Sequence, residues 1–310
     1  MRPLLDMDTI QIEITNACPY RCANCTRLVG HYKKPFMMTP QFFEKAVDSL
    51  IDFPKMIGVM GGEPLLHPQF ETLCAILRER VERKRCGLWT TLPAGKEQLA
   101  AVIAETFGNI FVNDHTRDEL LHTPLLVSGD ECFEDKHKMW YHIDKCWVQN
   151  NWSASITPKG GFFCEVAAAF DMVFDGPGGW PIEPGWWRKT PKDFVEQMER
   201  YCTDCGAPYP LTPRRDSEVV DDASPRWLQR LEAAGSPKLK QGNVAPYQGG
   251  LDMRNHRINS FRRDFGYLQE VASKYNLQLV RNRFGFLEPQ LGLPALTSTP
   301  CGEKATEPRA

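Results

Sequence analysis

Apolar and polar positions alternate near the start of the chain, where Gln11 and Glu13 separate Ile10, Ile12 and Ile14, and this period of two predicts a short strand. The strand runs straight into a loop rich in cysteine. Thr39 and Pro40 then supply an N-cap and a first-turn proline, predicting a helix over about 40–52. MIGVM at 56–60 predicts a second strand that ends at Gly61 and Gly62, and Pro68 opens a helix to about 84. CGLWTTL (86–92) predicts a third strand, 96–106 a third helix, NIFVN (109–113) a fourth strand and PLLVS (124–128) a fifth. This alternation predicts an α/β fold with a parallel sheet and outer helices, either open or curled into part of a barrel.

The rhythm changes near residue 150. SASIT and FFCEV flank PKGG, a proline-glycine turn, so 153–166 reads as a β-hairpin, with Cys164 on its second strand, and the parallel pattern ends there. An apolar AAAFDMVF and the Gly-, Pro- and Trp-rich DGPGGWPIEPGWW follow, after which Thr190 and Pro191 are expected to cap a helix running into Cys202. Beyond about 207 the chain is Pro-rich and charged. A short capped helix is expected at SPRWLQRLEAAG (224–235), an amphipathic helix at about 260–277, and a disordered tail over the last twenty or so residues.

At 310 residues, 42% hydrophobic and 25% charged, the chain can bury one main core with something smaller attached. The formal charge of -2 and the lack of a long basic run argue against nucleic acid as a partner. MRPLLDMDT has no apolar signal region, and no stretch reaches the roughly 18 apolar residues of a membrane span, so the expected location is cytoplasmic, with no membrane partner. Eleven cysteines are many for such a chain, and they cluster. Their odd number in a large chain without a signal peptide favours metal-binding thiolates over disulfides.

Cys18, Cys22 and Cys25 form CxxxCxxC in the loop after the first strand. Three thiolates can hold three corners of a [4Fe-4S] cluster and leave the fourth iron open to a substrate. The alternative is a zinc knuckle completed by His31. GGEP at Gly61–Pro64 follows the second strand on the same sheet edge, where two glycines permit close approach and a carboxylate can bind an ammonium.

Together these two motifs resemble the radical S-adenosylmethionine (SAM) enzymes. The resemblance implies a [4Fe-4S] cluster on Cys18, Cys22 and Cys25, SAM chelating the open iron, and Gly61, Gly62 and Glu63 holding the SAM amino group. It also implies contacts from Thr90 and Thr91 at the end of the third strand, and an electron donor such as flavodoxin or ferredoxin. The residue before the third cysteine, often aromatic in that family and packed near adenine, is here Asn24, and Tyr20 is the nearby candidate to replace it.

A second set comprises Cys146 before the hairpin, Cys164 within it, and Cys202 with Cys205 as CxxC. Four cysteines also suit a zinc ribbon. Their layout resembles the twitch domain of radical SAM enzymes, a shortened SPASM domain, which implies an auxiliary [4Fe-4S] cluster on these four. Its coordination would be closed, so its expected task is one-electron transfer. The resemblance divides the chain into a partial barrel (1–145), a twitch domain (146–212) and a C-terminal extension (213–310). The architecture is most similar to the 2-deoxy-scyllo-inosamine dehydrogenases, over about residues 8–210.

Asn113, Asp114, His115 and Arg117 follow the fourth strand and are candidates for binding a polar substrate or taking its proton, against the alternative of a solvated capping loop. Trp186, Trp187 and Arg188 read as small-domain packing or as a cover for the second cysteine site. The expected activity is oxidation of a small polar substrate, such as a sugar, cyclitol or nucleotide sugar, with the auxiliary cluster taking the second electron. The rivals are a peptide-modifying radical SAM maturase, whose leader-binding domain is not expected in the short segment before Cys18 but whose recognition element could be C-terminal or separate, and a non-catalytic iron-sulfur or zinc protein.

Overall fold

A computed structural model describes residues 1–113, 120–151, 154–251, 265–282 and 286–292 of the chain. The first strand, β1 (Thr9–Thr15), is buried along its whole length, as a central strand covered on both faces must be. Helix α1 (Pro40–Asp48) starts as predicted, with the Thr39 hydroxyl accepting from the Phe42 amide at 3.3 Å. β2 (Met56–Gly61), α2 (Phe70–Arg80), β3 (Cys86–Thr90), α3 (Ala100–Thr106) and β4 (Asn109–Val112) continue the alternation. β1 to β4 are parallel neighbours in the order β4-β3-β2-β1.

The hairpin forms, but it does not end the parallel pattern. Ala154–Thr157 pairs parallel to β1, and Gly160–Phe162 folds back antiparallel on it. At the other edge Leu287–Leu291 joins β4 antiparallel, followed by Leu277–Arg281, giving an eight-stranded sheet in which five consecutive strands are parallel. The sheet is not closed, so the fold is an open, partial β/α barrel. Of the amphipathic helix expected at about 260–277, Phe265–Ser273 is helical, a turn and then the strand from Leu277 take the place of its C-terminal end, and residues 260–264 lie outside the described residues. The expected disordered tail lies mostly outside the described residues.

Three local expectations are corrected. PLLVS is not a sheet strand: Leu125 and Leu126 are buried, but their carbonyls accept from the Gly206 and Ser224 amides, each at 2.8 Å. An apolar run of five cannot distinguish a strand from a buried connection. Cys164 is not on the hairpin strand but is the N-cap of helix Glu165–Val173. Thr190 caps only a turn, its amide and hydroxyl donating to Asp193, and the helix begins at Val195. Trp186 and Trp187 are packing residues, donating from Nε1 to Ser49 at the end of α1.

Candidate active site

The ends of β1, β2 and β3 meet at one edge of the sheet, and the glycines of GGEP are required there. A Cβ on Gly61 would lie 2.0 Å from the Thr15 carbonyl oxygen, and one on Gly62 would lie 2.4 Å from that of Ala17. The Gly62 and Glu63 amides donate to these same carbonyls at 2.8 and 2.7 Å. The motif therefore fixes the take-off point of the cysteine loop. This role was not legible from the spacing alone.

Cys18, Cys22 and Cys25 line one cavity with Tyr20, Gly61, Gly62, Thr90 and Thr91. Burial above all pushes the Cys18 thiol up to about 12, with Cys25 and Glu63 adding to it, and Cys22 and Cys25 are also raised chiefly by burial. Thiols held this high keep their protons at neutral pH until a metal displaces them. His31 does not complete a knuckle. Its Nε2 lies 2.6 Å from Asp221 Oδ2 and its Nδ1 2.8 Å from Ser236 Oγ, so both ring nitrogens are engaged. Among the described residues no three His, Cys, Asp or Glu side chains gather around a single ion. Among the described residues the donor set facing this cavity is three thiols, which fits a cluster with one iron left for a small molecule.

Glu63 lies beneath this cavity, fully buried. Oε1 accepts from Thr90 Oγ1 at 2.7 Å and the Leu65 amide at 3.1 Å, and Oε2 accepts from the Thr91 amide and hydroxyl at 2.7 and 2.8 Å. Burial still holds its carboxyl above the ordinary value, against those four donors. Glu63 thus fixes Thr90 and Thr91, and these two line the cavity.

Asn24 has a left-handed backbone (φ 49°), which asparagine tolerates better than most residues. It is buried, and its side chain and amide bind Asp222 and Asp221. It is therefore a structural anchor of the loop. Arg27, two residues after Cys25, is buried between Glu13 (3.4 Å) and Glu165 (3.1 Å). These two charges outweigh burial and hold its guanidinium above the usual value, while burial raises the Glu13 carboxyl.

The four cysteines of the second set also share a cavity. Cys146, Cys164, Cys202 and Cys205 line a second, largely apolar cavity with Phe163 and Phe170, and burial raises all four thiols. Cys146 adds to the rise of the other three, and Cys164 adds to that of Cys202 and Cys205. The residues that follow two of them, Trp147 after Cys146 and Glu165 after Cys164, face the first cavity instead. The segments 146–147 and 164–165 thus form a wall shared by the two cavities. Sequence reasoning missed Trp147, Glu165 and Arg27, although two of the three directly follow a cysteine of the set. Asn113 lines the first cavity, whereas Asp114, His115 and Arg117 lie outside the described residues. Among the described residues no helix is long and apolar enough to cross a membrane.

Residues 12–124 match the family model described as the Radical SAM superfamily. No curated protein matches the sequence. Among solved structures the chain is similar to BtrN in complex with AdoMet and 2-DOIA, at 19% identity and a TM-score of 0.43, over 64% of this chain and 92% of that one. It is also similar to Streptococcus suis SuiB bound to S-adenosylmethionine, at 11% identity and a TM-score of 0.30, over 86% of this chain and 46% of that one.

Proposed function

Residues 12–124 form a radical SAM domain, and from that premise we propose that the chain is a SAM-dependent oxidoreductase acting on a small polar substrate. On this reading Cys18, Cys22 and Cys25 hold the catalytic [4Fe-4S] cluster, and Cys146, Cys164, Cys202 and Cys205 hold an auxiliary one. When bound, these groups supply an electron to cleave SAM to a 5'-deoxyadenosyl radical that takes a hydrogen atom, and an acceptor for the second electron. A flavodoxin or ferredoxin is the kind of donor that would supply the first electron.

The observation that carries the reading is the shared wall. Trp147 and Glu165 face the cavity of the first three cysteines, while Cys146 and Cys164 beside them face the second. A substrate between Thr90, Thr91 and this wall would stand next to both sites. Removal of one hydrogen atom, then one electron and one proton, converts a carbinol to a ketone. Trp147 offers an apolar face to a ring, and Glu165 and Asn113 offer polar groups to hydroxyls. Gly61, Gly62, Thr90 and Thr91 are proposed to bind the polar end of SAM, with Glu63 acting through the two threonines, and Tyr20 to pack on adenine.

The test is anaerobic reconstitution followed by incubation with SAM, a reductant and a panel of deuterated cyclitols, amino sugars and nucleotide sugars. The expected result is 5'-deoxyadenosine carrying deuterium, in step with a ketone product. SAM cleavage uncoupled from oxidation of every member, together with modification of a precursor peptide, would overturn it.

A further inference from the structure

Lys238 is a fully buried lysine, and its side chain crosses the first cysteine loop from the C-terminal segment. Nζ lies 2.8 Å from Asp221 Oδ1, 3.0 Å from the carbonyl of Cys22 and 3.3 Å from that of Arg21. Its three protons thus meet three acceptors. The Lys238 amide donates to the Gly30 carbonyl at 3.0 Å, and its stem lies against Gly30, where an added Cβ would come within 3.1 Å of Cδ. Gly30 itself has a φ of +99°, which favours glycine. The other oxygen of Asp221 meets His31 at 2.6 Å. Both ends of the loop, at 21–22 and at 30–31, are therefore gripped by one unit spanning 221–238.

Burying an ammonium and a carboxylate together rarely stabilises a fold more than apolar packing would. The charge here is spent on two loop carbonyls, one of them belonging to a cysteine.

We propose that Lys238 is a positioning residue for the first cysteine site: by binding the Arg21 and Cys22 carbonyls, with Asp221 as its counter-ion, it holds Cys22 in place to ligate iron. The inference rests on the reading that Cys18, Cys22 and Cys25 bind a cluster. Residues that orient metal ligands from outside typically change affinity or activity by about 10–100-fold when removed.

The test compares wild type with Lys238→Met, each reconstituted anaerobically. The readouts are the electron paramagnetic resonance of the reduced protein with and without SAM, and the rate of iron loss to EDTA in a Cys164→Ala background that isolates the first site. The expected result is an altered SAM-responsive signal and iron loss about tenfold faster, with the second site's signal unchanged in the protein that retains it. The KM for SAM should move less than kcat. Identical signals and rates would overturn the role of Lys238, and so would an equal change in the signals of both sites in the protein that retains them, which marks a general folding defect. A wild-type protein lacking any SAM-responsive signal would overturn the underlying reading as well. If Lys238→Met does not fold, Lys238→Gln, which keeps a donor but no charge for Asp221, should show the same selective change, and its absence would overturn the proposal.

Discussion

Asn24 and Asp222 exchange hydrogen bonds across 198 positions of sequence, Asn24 Nδ2 donating to Asp222 Oδ2 at 3.0 Å and the Asp222 amide donating to Asn24 Oδ1 at 2.9 Å. The cysteine loop is thereby closed against a distant strand. Asn24→Ala removes both bonds, leaves the buried Asp222 amide without this partner and puts alanine, which lacks the short polar side chain that eases this conformation, in the left-handed region. The expected cost is about 1–3 kcal/mol for the unpaired groups, read by urea denaturation. Asn24→Asp, which keeps an acceptor for the Asp222 amide but faces two carboxylates, should also be destabilised. A fully stable Asn24→Ala would show that the loop does not depend on this contact.

Asp221 gives a pH signature. Burial pushes its carboxyl up, but the hydrogen bond from His31 and the charge of Lys238 outweigh it and bring it below the ordinary 3.8. A carboxyl lowered in the folded state contributes stability that is present above 3.8 and is lost as pH falls through the folded value. Asp221→Asn should therefore cost about 3–5 kcal/mol at neutral pH, as breaking a buried pair does. The gap from wild type should narrow as the pH is taken below that of an ordinary carboxyl. Thermal unfolding across this range checks it, and a gap independent of pH would contradict it.

Arg27 neutralises two buried carboxylates, Glu13 and Glu165. Arg27→Met leaves both without their cation and should destabilise the protein by about 3–5 kcal/mol. The double change Arg27→Met with Glu13→Gln should recover part of that loss, because one of the stranded charges is gone. Equal stability of the single and double variants in denaturant titration would argue against the pairing.

The two cysteine sites should separate in iron content and chemistry. On the proposed reading, Cys22→Ala and Cys205→Ala each retain about four of about eight irons. Only Cys22→Ala should abolish SAM cleavage. Cys205→Ala should still cleave SAM but yield little oxidised product. Loss of SAM cleavage in both variants would mean that the second site is needed to build the first.

Much of the site was legible because it is written locally. CxxxCxxC and GGEP are short motifs, and the alternation that yields β1 to β4 and α1 to α3 follows from periodicity over a few residues at a time. Boundaries were less legible: Cys164 sits one residue before a helix because β-propensity in FFCEV competes with the apolar helix that follows, and only packing decides. The edge hairpin at 277–291 escaped notice partly because Pro289 lies within its second strand, where proline argues against a strand.

The sequence by itself determined the chemistry on offer: which thiols, which glycines, and that they follow successive parallel strands. Only the tertiary structure decided that Asn24, His31, Asp221 and Lys238 belong together, and that Trp147 and Glu165 form a wall between two cysteine sites. The physical reason is that a lysine, an aspartate, an asparagine and a histidine read as solvent-exposed in any local window. Their burial becomes tolerable only when Lys238 and Asp221 neutralise one another and satisfy the carbonyls, an amide and the histidine of a loop some 200 residues away in sequence.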